Sequence, residues 1–261
     1  MNEQQSGQTK SEPVSIAMIA GLHLEIAPLL GLLDVRRTAT GNGFKYHNCF
    51  LNDIRIVVCE KAVGENRAKS ATNAVIDVFD PEWILSVGIS GALLEPMLVG
   101  HIAVANGLVR ARRPDPIDVP VGMESDPAGG LFVGRICTTD HIVRTREEKQ
   151  ALHDQTGAIA VDMESFAVAQ TARQRGKNVM AIRSISDTME KDLPPEVLAI
   201  FGGKGTIRMG ALAGTLFKRP GSVKELWKIR EDAVTAARSL ARFVLGVLPQ
   251  LTSVSENSRN P

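Results

Sequence analysis

Three nearly continuous apolar runs constrain this chain more than anything else in it: "VSIAMIA" (14–20), "WILSVGISGAL" (83–93) and "NVMAIRSISD" (178–187). Runs of this length without polar alternation are what strands covered on both faces look like. Between them lie helix-like stretches, "LHLEIAPLLGLL" after the first and "ENRAKSATNAVIDVF" after "IRIVVCE" (54–60), the latter ended by Pro81. Strand alternating with helix predicts the α/β class.

The rest of the chain fills in around this frame. "GNGFKYHNCFLN" turning into "IRIVVCE" is hairpin-like, "HIAVANGLV" and "LFVGRICTTD" are further strands, and a charged helix is expected from about Arg146 to His153. A short strand "GAIAV" then leads into a helix from Met163 that stops at Gly176, a residue suited to a helix C-terminus. Residues 110–130 carry four prolines and no period, and are expected to be a long loop, a lid or an interface arm. The expected organisation is a disordered segment 1–13, a single domain 14–250 that includes a C-terminal helix 222–248, and a polar tail 251–261.

Composition excludes several classes. Thirty basic against twenty-nine acidic residues, with 4% aromatics, leave neither a basic face nor a stacking surface, so nucleic acid is not an expected partner. Cys49, Cys59 and Cys137 are odd in number and widely spaced, which points to buried thiols in a reducing compartment. No apolar run approaches the roughly 20 residues a membrane span needs, the polar N-terminus lacks a signal-peptide core, and the expected location is the cytoplasm. The five histidines show no HExxH or Cys/His ligand spacing, so no metal site is expected. No GxSxG elbow, Walker-A loop or GxGxxG is present, so serine hydrolysis, P-loop chemistry and a nicotinamide cofactor have no support.

The candidate chemistry lies in acids near strand ends. "GISG" (88–91) follows a buried strand and reads either as a tight turn into a helix or as a loop whose backbone faces a ligand. "IRSISD" ends a strand in Ser186 and Asp187, where an acid is either a desolvated proton donor or a helix N-cap. Glu164 of "VDMES" lies 23 residues earlier, room for one helix and one strand, so it can reach the same pocket or sit in a solvated first helical turn. Glu25, alone in an apolar helical stretch, is either a solvent-edge or a functional residue.

Taken together, the apolar first strand followed by Glu25, "SVGISGAL", and "VDMES" with the Asp of "RSISD" resemble the nucleoside phosphorylase superfamily, in its methylthioadenosine/S-adenosylhomocysteine nucleosidase branch. The resemblance runs from about Ser15 to Gly210. "ALHDQTGAIAVDMESFAVAQ", "AIRSISDTMEKDLPPEVL" and "RMGALAGTLFKRPG" look most like bacterial hopanoid-associated phosphorylases, thought to release adenine from an adenosyl-lipid. The resemblance implies a three-layer α/β/α sandwich around a mixed, partly barrel-like sheet. It further implies cleavage of a 5′-modified adenosine to adenine without a cofactor, in a dimer or larger homo-oligomer.

By the same resemblance, Asp187 held by Ser186 meets the purine N7, Glu164 takes the ribose hydroxyls, Met163 packs on the sugar, and Glu25 positions or deprotonates water. Arg183 orients Glu25 or holds an anion, Gly88, Ile89 and Ser90 face the substrate, and Ile142 and Val143 contact the base. Three departures bear on the nucleophile and the site. Ile89 stands where the nucleosidases have a serine, and Ala92 replaces a glycine; Asp162 replaces a glutamate and reads as structural. The acid at Glu25 repels phosphate, which favours water, whereas Arg183 and Arg67 are the cations a phosphorylase would use. The 110–130 segment is the expected oligomer arm or, through "RARRP", a contact for a lipid substrate. The competing reading is a non-catalytic nucleoside-binding protein.

Overall fold

The computed structural model describes residues 14–197 and 222–259. The 1–13 segment, the "RMGALAGTLFKRPG" motif and the last two residues lie outside the described residues. In chain order the elements are β1 (Ile16–Ile19), α1 (His23–Leu30), β2 (Asp34–Gly41), β3 (Phe44–Leu51), β4 (Ile54–Glu60), α2 (Glu65–Phe79) and β5 (Trp83–Ala92). They continue with β6 (Ile102–Arg110), β7 (Arg113–Asp118), β8 (Leu131–Thr138), α3 (Arg146–Thr156), β9 (Ala160–Asp162), α4 (Ser165–Gln174), β10 (Asn178–Asp187) and α5 (Ser222–Arg259).

The strands form one mixed sheet in the order β10-β6-β8-β9-β5-β1-β4-β3-β2, and an added parallel pairing of β10 with β5 closes five of them into a barrel. On one face α1 and α5 bury Ile26, Leu29, Leu240, Val244 and Leu248 against Ile16, Met18, Ile56, Leu85 and Ile182. On the other, α2 and α4 bury Ala68, Val75, Val168 and Ala172 against Ala17, Ile19 and Ile84. Each fully buried Ile, Leu or Val side chain contributes roughly 1.5–3 kcal/mol, and β1 and β5 supply such residues to both faces. This is why their sequences are apolar without alternation.

Barrel closure changes two expectations. "GISG" is neither turn nor loop, because β5 runs on to Ala92, held by β10 along its length and by β9 at Gly91 and Ala92. Residues 110–130 are not a free loop either. β7 folds back antiparallel on β6, Val119 is buried, and Val121 and Met123 pack against the main core.

The strand β2 escaped the sequence reading since all eight of its residues are exposed and show no apolar alternation. Its turn into β3 is Asn42-Gly43, both at positive φ, the pair that two-residue hairpin turns favour. α3 extends three residues beyond His153, and α4 begins at Ser165 rather than Met163 because the Asp162 carboxylate accepts the backbone N–H groups of Glu164 and Ser165. α5 passes through Pro249 to Arg259, past the expected end at 248 and through most of the expected polar tail. Leu251 still joins the buried face beyond the proline, and tertiary packing outweighs the one lost helical hydrogen bond. Among the described residues no helix is long and apolar enough to cross a membrane.

Candidate functional site

The carboxyl ends of β1, β5, β9 and β10 converge on one pocket, the edge at which open α/β sheets bind ligands. Glu25, Ile89, Gly91, Ile142, Val143, Asp162, Met163, Glu164, Ser186 and Asp187 line it.

Glu25 is the third residue of α1. Its Oε2 accepts the Leu22 N–H at 2.7 Å, which satisfies the start of its own helix, while Oε1 accepts the Ile89 N–H of β5 at 3.1 Å. Burial pushes its pKa up, and these backbone bonds with the Arg183 charge pull against that rise. The glycines of "GISG" serve the acids rather than a turn. A Cβ at Gly88 would lie 2.9 Å from Glu25 Oε1, and one at Gly91 3.0 Å from Asp187 Oδ2.

Glu164 stands in the turn between β9 and α4. The Gly64 N–H donates to its Oε1 at 2.8 Å and the Met163 N–H to its Oε2 at 3.3 Å. Burial, with the negative charges of Asp162 and Glu25 nearby, pushes its carboxyl up to about 8, the Arg183 charge and the Gly64 bond working the other way. Met163 thus sits ahead of the helix, on the pocket wall between the two acids.

Asp187 ends β10. The Ser186 hydroxyl donates to its Oδ1 at 2.8 Å and is also 3.1 Å from the Ser90 carbonyl. The expected Ser186–Asp187 pairing is therefore present. Its other oxygen meets a residue that sequence reasoning missed: Lys149 Nζ, on α3, lies 2.7 Å from Asp187 Oδ2. Lys149 is 0% exposed and donates to the Thr188 and Lys191 carbonyls at 2.7 and 3.0 Å, so its contact with Asp187 Oδ2 is an ion pair rather than a well-aligned hydrogen bond. In "REEKQAL" it reads as one more charge on a solvated helix, and no local signal separates it from its neighbours.

Several expected assignments change. Arg183 does not hold Glu25. It is 1% exposed, ion-paired with Asp162 Oδ2 at 2.8 Å, donates to Ser86 Oγ at 2.9 Å and to the Ile182 carbonyl at 3.0 Å, and acts on Glu25 and Glu164 through its field. Gly88 and Ser90 stand behind the pocket wall, where Gly88 makes room for Glu25 and the Ser90 carbonyl meets Ser186. Arg67 is spent on the Lys61 and Gly43 carbonyls, both at 2.8 Å. Asp162 is structural as expected: besides Arg183 it takes the Thr138 hydroxyl at 2.7 Å. No residue of 110–130 lines the pocket, whose far end is apolar and formed by Ile142, Leu193, Val197 and, from α5, Ile229 and Ala233.

The geometry thus offers an acid at a strand end, a carboxylate beside an apolar thioether, and a second buried acid, Glu25, near that carboxylate. Such a set can meet charge of opposite sign developing on two halves of one substrate. The family model of the phosphorylase superfamily matches residues 15–129 and 130–214.

The chain belongs to the phosphorylase superfamily.

It is similar to the 5′-methylthioadenosine/S-adenosylhomocysteine nucleosidase of Chromohalobacter salexigens, 25% identical over 201 residues covering 68% of this chain and 86% of that relative. Its fold is that of the Helicobacter pylori 5′-methylthioadenosine/S-adenosylhomocysteine nucleosidase, with a TM-score of 0.68 at 20% identity, covering 92% of this chain and 100% of the other. The Helicobacter pylori futalosine hydrolase superposes equally well, with a TM-score of 0.68 at 19% identity over 91% of this chain and 98% of the other.

Proposed function

We propose that the enzyme hydrolyses a 5′-modified adenosine to adenine and a 5′-modified ribose, with water as the nucleophile. One observation carries the choice of water. Both arginines that could have neutralised a phosphate are committed elsewhere, Arg183 to Asp162 and Ser86, Arg67 to two backbone carbonyls, while Glu25 points a carboxylate into the pocket.

In this reading Glu25 orients a water molecule and takes its proton as the oxygen bonds to C1′. The C1′–N9 bond breaks, its electrons pass to the purine, and Asp187 in its carboxylic acid form gives its proton to N7, so that adenine leaves without a full negative charge while the proton lost by water goes to Glu25. Glu164 accepts the ribose 2′ and 3′ hydroxyls and favours the oxocarbenium-like state, as carboxylates do in sugar hydrolysis. Met163 lays its polarizable thioether against the sugar. Ile142 and Val143 flank the base. The apolar end formed by Leu193, Val197 and Ile229 supports an apolar 5′ substituent, from methylthio up to the longer chain of an adenosyl-lipid.

The experiment is adenine release from methylthioadenosine, with and without phosphate, by the native chain and by Asp187→Asn. Equal release in both buffers, reduced about 10²- to 10⁴-fold in kcat by the substitution, is expected. Release that requires phosphate would overturn hydrolysis. Tight binding of the nucleoside with no release from it or from longer 5′-alkylthio analogues would instead support a binding protein.

A further inference from the structure

Away from the pocket, β3, β4 and the first residue of α1 bring three ligand-type side chains together. His23 Nδ1 lies 2.7 Å from Glu60 Oε2, His47 Nε2 lies 3.7 Å from Glu60 Oε1, and the donor atoms of the three fall within 4.8 Å of one another. None of them lines the catalytic pocket. Glu60 and His47 are buried, whereas His23 is exposed and leaves the cluster open to solvent on one side.

A second observation separates this cluster from an ordinary ion-pair network. His47 Nε2 is buried with no hydrogen-bond partner, while its Nδ1 lies 3.0 Å from the Thr38 hydroxyl. If Nδ1–H donates to Thr38, the Nε2 lone pair faces the Glu60 carboxylate. If Nδ1 accepts instead, Nε2–H is 3.7 Å from the carboxylate oxygen, beyond hydrogen-bond reach. Neither tautomer satisfies Nε2, but a cation between it and Glu60 would do so in the first, with Thr38 fixing ring orientation as outer partners do for metal-bound histidines.

We propose that His23, His47 and Glu60 form a binding site for a divalent transition-metal ion of the zinc class. Two imidazoles and a carboxylate suit zinc rather than calcium or magnesium, which take oxygen donors. Zinc binds such atoms at about 2.0–2.2 Å, which puts tetrahedral ligand atoms roughly 3.3 Å apart, and the three donor atoms, all within 4.8 Å of one another, reach that spacing by a small contraction. Lys45 Nζ, 3.1 Å from Glu60 Oε1, is the competing cation that an entering metal displaces. His23 opens the helix whose third residue is Glu25, so a bound ion would tie the element carrying that acid to the β3–β4 hairpin.

The test is calorimetric titration of chelator-treated protein with zinc sulfate, alongside cobalt(II) and its visible absorption. One saturable equivalent is expected. His47→Gln should weaken binding at least tenfold, and Thr38→Val about tenfold through the lost orienting bond. Lys45→Met should strengthen binding roughly tenfold by removing the competing charge. Asp187→Asn should bind as the native chain does, which keeps this result separate from any outcome of the turnover assay. No saturable binding below about 1 mM zinc, or equal affinity in the native, His47→Gln and Lys45→Met proteins, would overturn the site and leave an ion-pair cluster.

Discussion

Replacing Lys149 by methionine keeps most of the apolar stem, shortens the side chain by one atom, and removes its charge and its donors. The structure sets the consequence. An ammonium with no solvent exposure engages Asp187 Oδ2 at 2.7 Å and the carbonyls of Thr188 and Lys191 at 2.7 and 3.0 Å, so the substitution strands a buried carboxylate and two carbonyls together. Removing one partner of a buried ion pair costs about 3–5 kcal/mol, and for a chain of this size each kcal/mol lowers Tm by about 2–4 °C. A fall of about 6–20 °C is expected, and with a total stability of about 5–15 kcal/mol the variant keeps between about 0 and 12 kcal/mol, which the melts read directly.

The cause can be isolated by a double-mutant cycle. If the stranded charge dominates, Lys149→Met/Asp187→Asn recovers about 1–3 kcal/mol relative to Lys149→Met alone, since the neutral amide no longer demands a counter-ion. In turnover, Lys149→Met should lower kcat more than it changes KM and approach the loss seen in Asp187→Asn, because it acts through the placement of that acid. Thermal melts of the four proteins with steady-state kinetics make the measurement. Additive stability effects, or a native kcat in a destabilised Lys149→Met protein, would refute the coupling of Lys149 to Asp187.

Further outcomes follow from the same geometry. Gly88→Ala sets a methyl 2.9 Å from Glu25 Oε1, and the side chain is freer to move than the strand; kcat should fall tenfold or more, with Tm lowered by only a few degrees, each kcal/mol being worth about 2–4 °C. Glu164 has its folded pKa raised from 4.5 to about 8, so between these values the folded chain holds a proton that the unfolded chain has lost. Stability of the ligand-free enzyme should therefore decline as pH rises from about 5 to 8, by at most about 1.4 kcal/mol per unit, and Glu164→Gln should flatten that slope in pH-dependent denaturant titrations. Hydroxyls that donate to Glu164 favour its ionised form, so nucleoside binding at pH 7 should release a proton, read as a dependence of calorimetric heat on buffer ionisation enthalpy. Arg67→Ala should leave phosphate-free turnover within about twofold, since among the described residues this side chain serves the Gly43 and Lys61 carbonyls and the Phe44 ring.

How much of this was legible in the sequence depended on whether the signal was local. The apolar runs of β1, β5 and β10 determined the α/β class, because a strand covered on both faces has no freedom to alternate. The positions of Glu25, Glu164 and Asp187 beside those runs, with Ser186 next to the last, marked the acids of the pocket, and the resemblance could then attach roles to them. Gly176 was legible as a stop, since the residue after a helix end so often needs positive φ, found here at 67°. Buried Cys49, Cys59 and Cys137, each pushed up to about 12 chiefly by desolvation, are the inert core thiols their spacing suggested.

What the sequence could not carry were relations between residues far apart in the chain. Only barrel closure by β10 and β5 turned "GISG" from a loop into a strand whose missing side chains make room for two carboxylates. Only the folded chain gave Arg183 to Asp162 instead of Glu25, and brought Lys149, an unremarkable charge in an exposed-looking helix, to Asp187 across 38 residues. Local pattern determines which face of an element is apolar. Which charge ends beside which is decided by tertiary packing, because an ion pair depends on distance in space and a buried charge takes whatever partner the fold brings within reach.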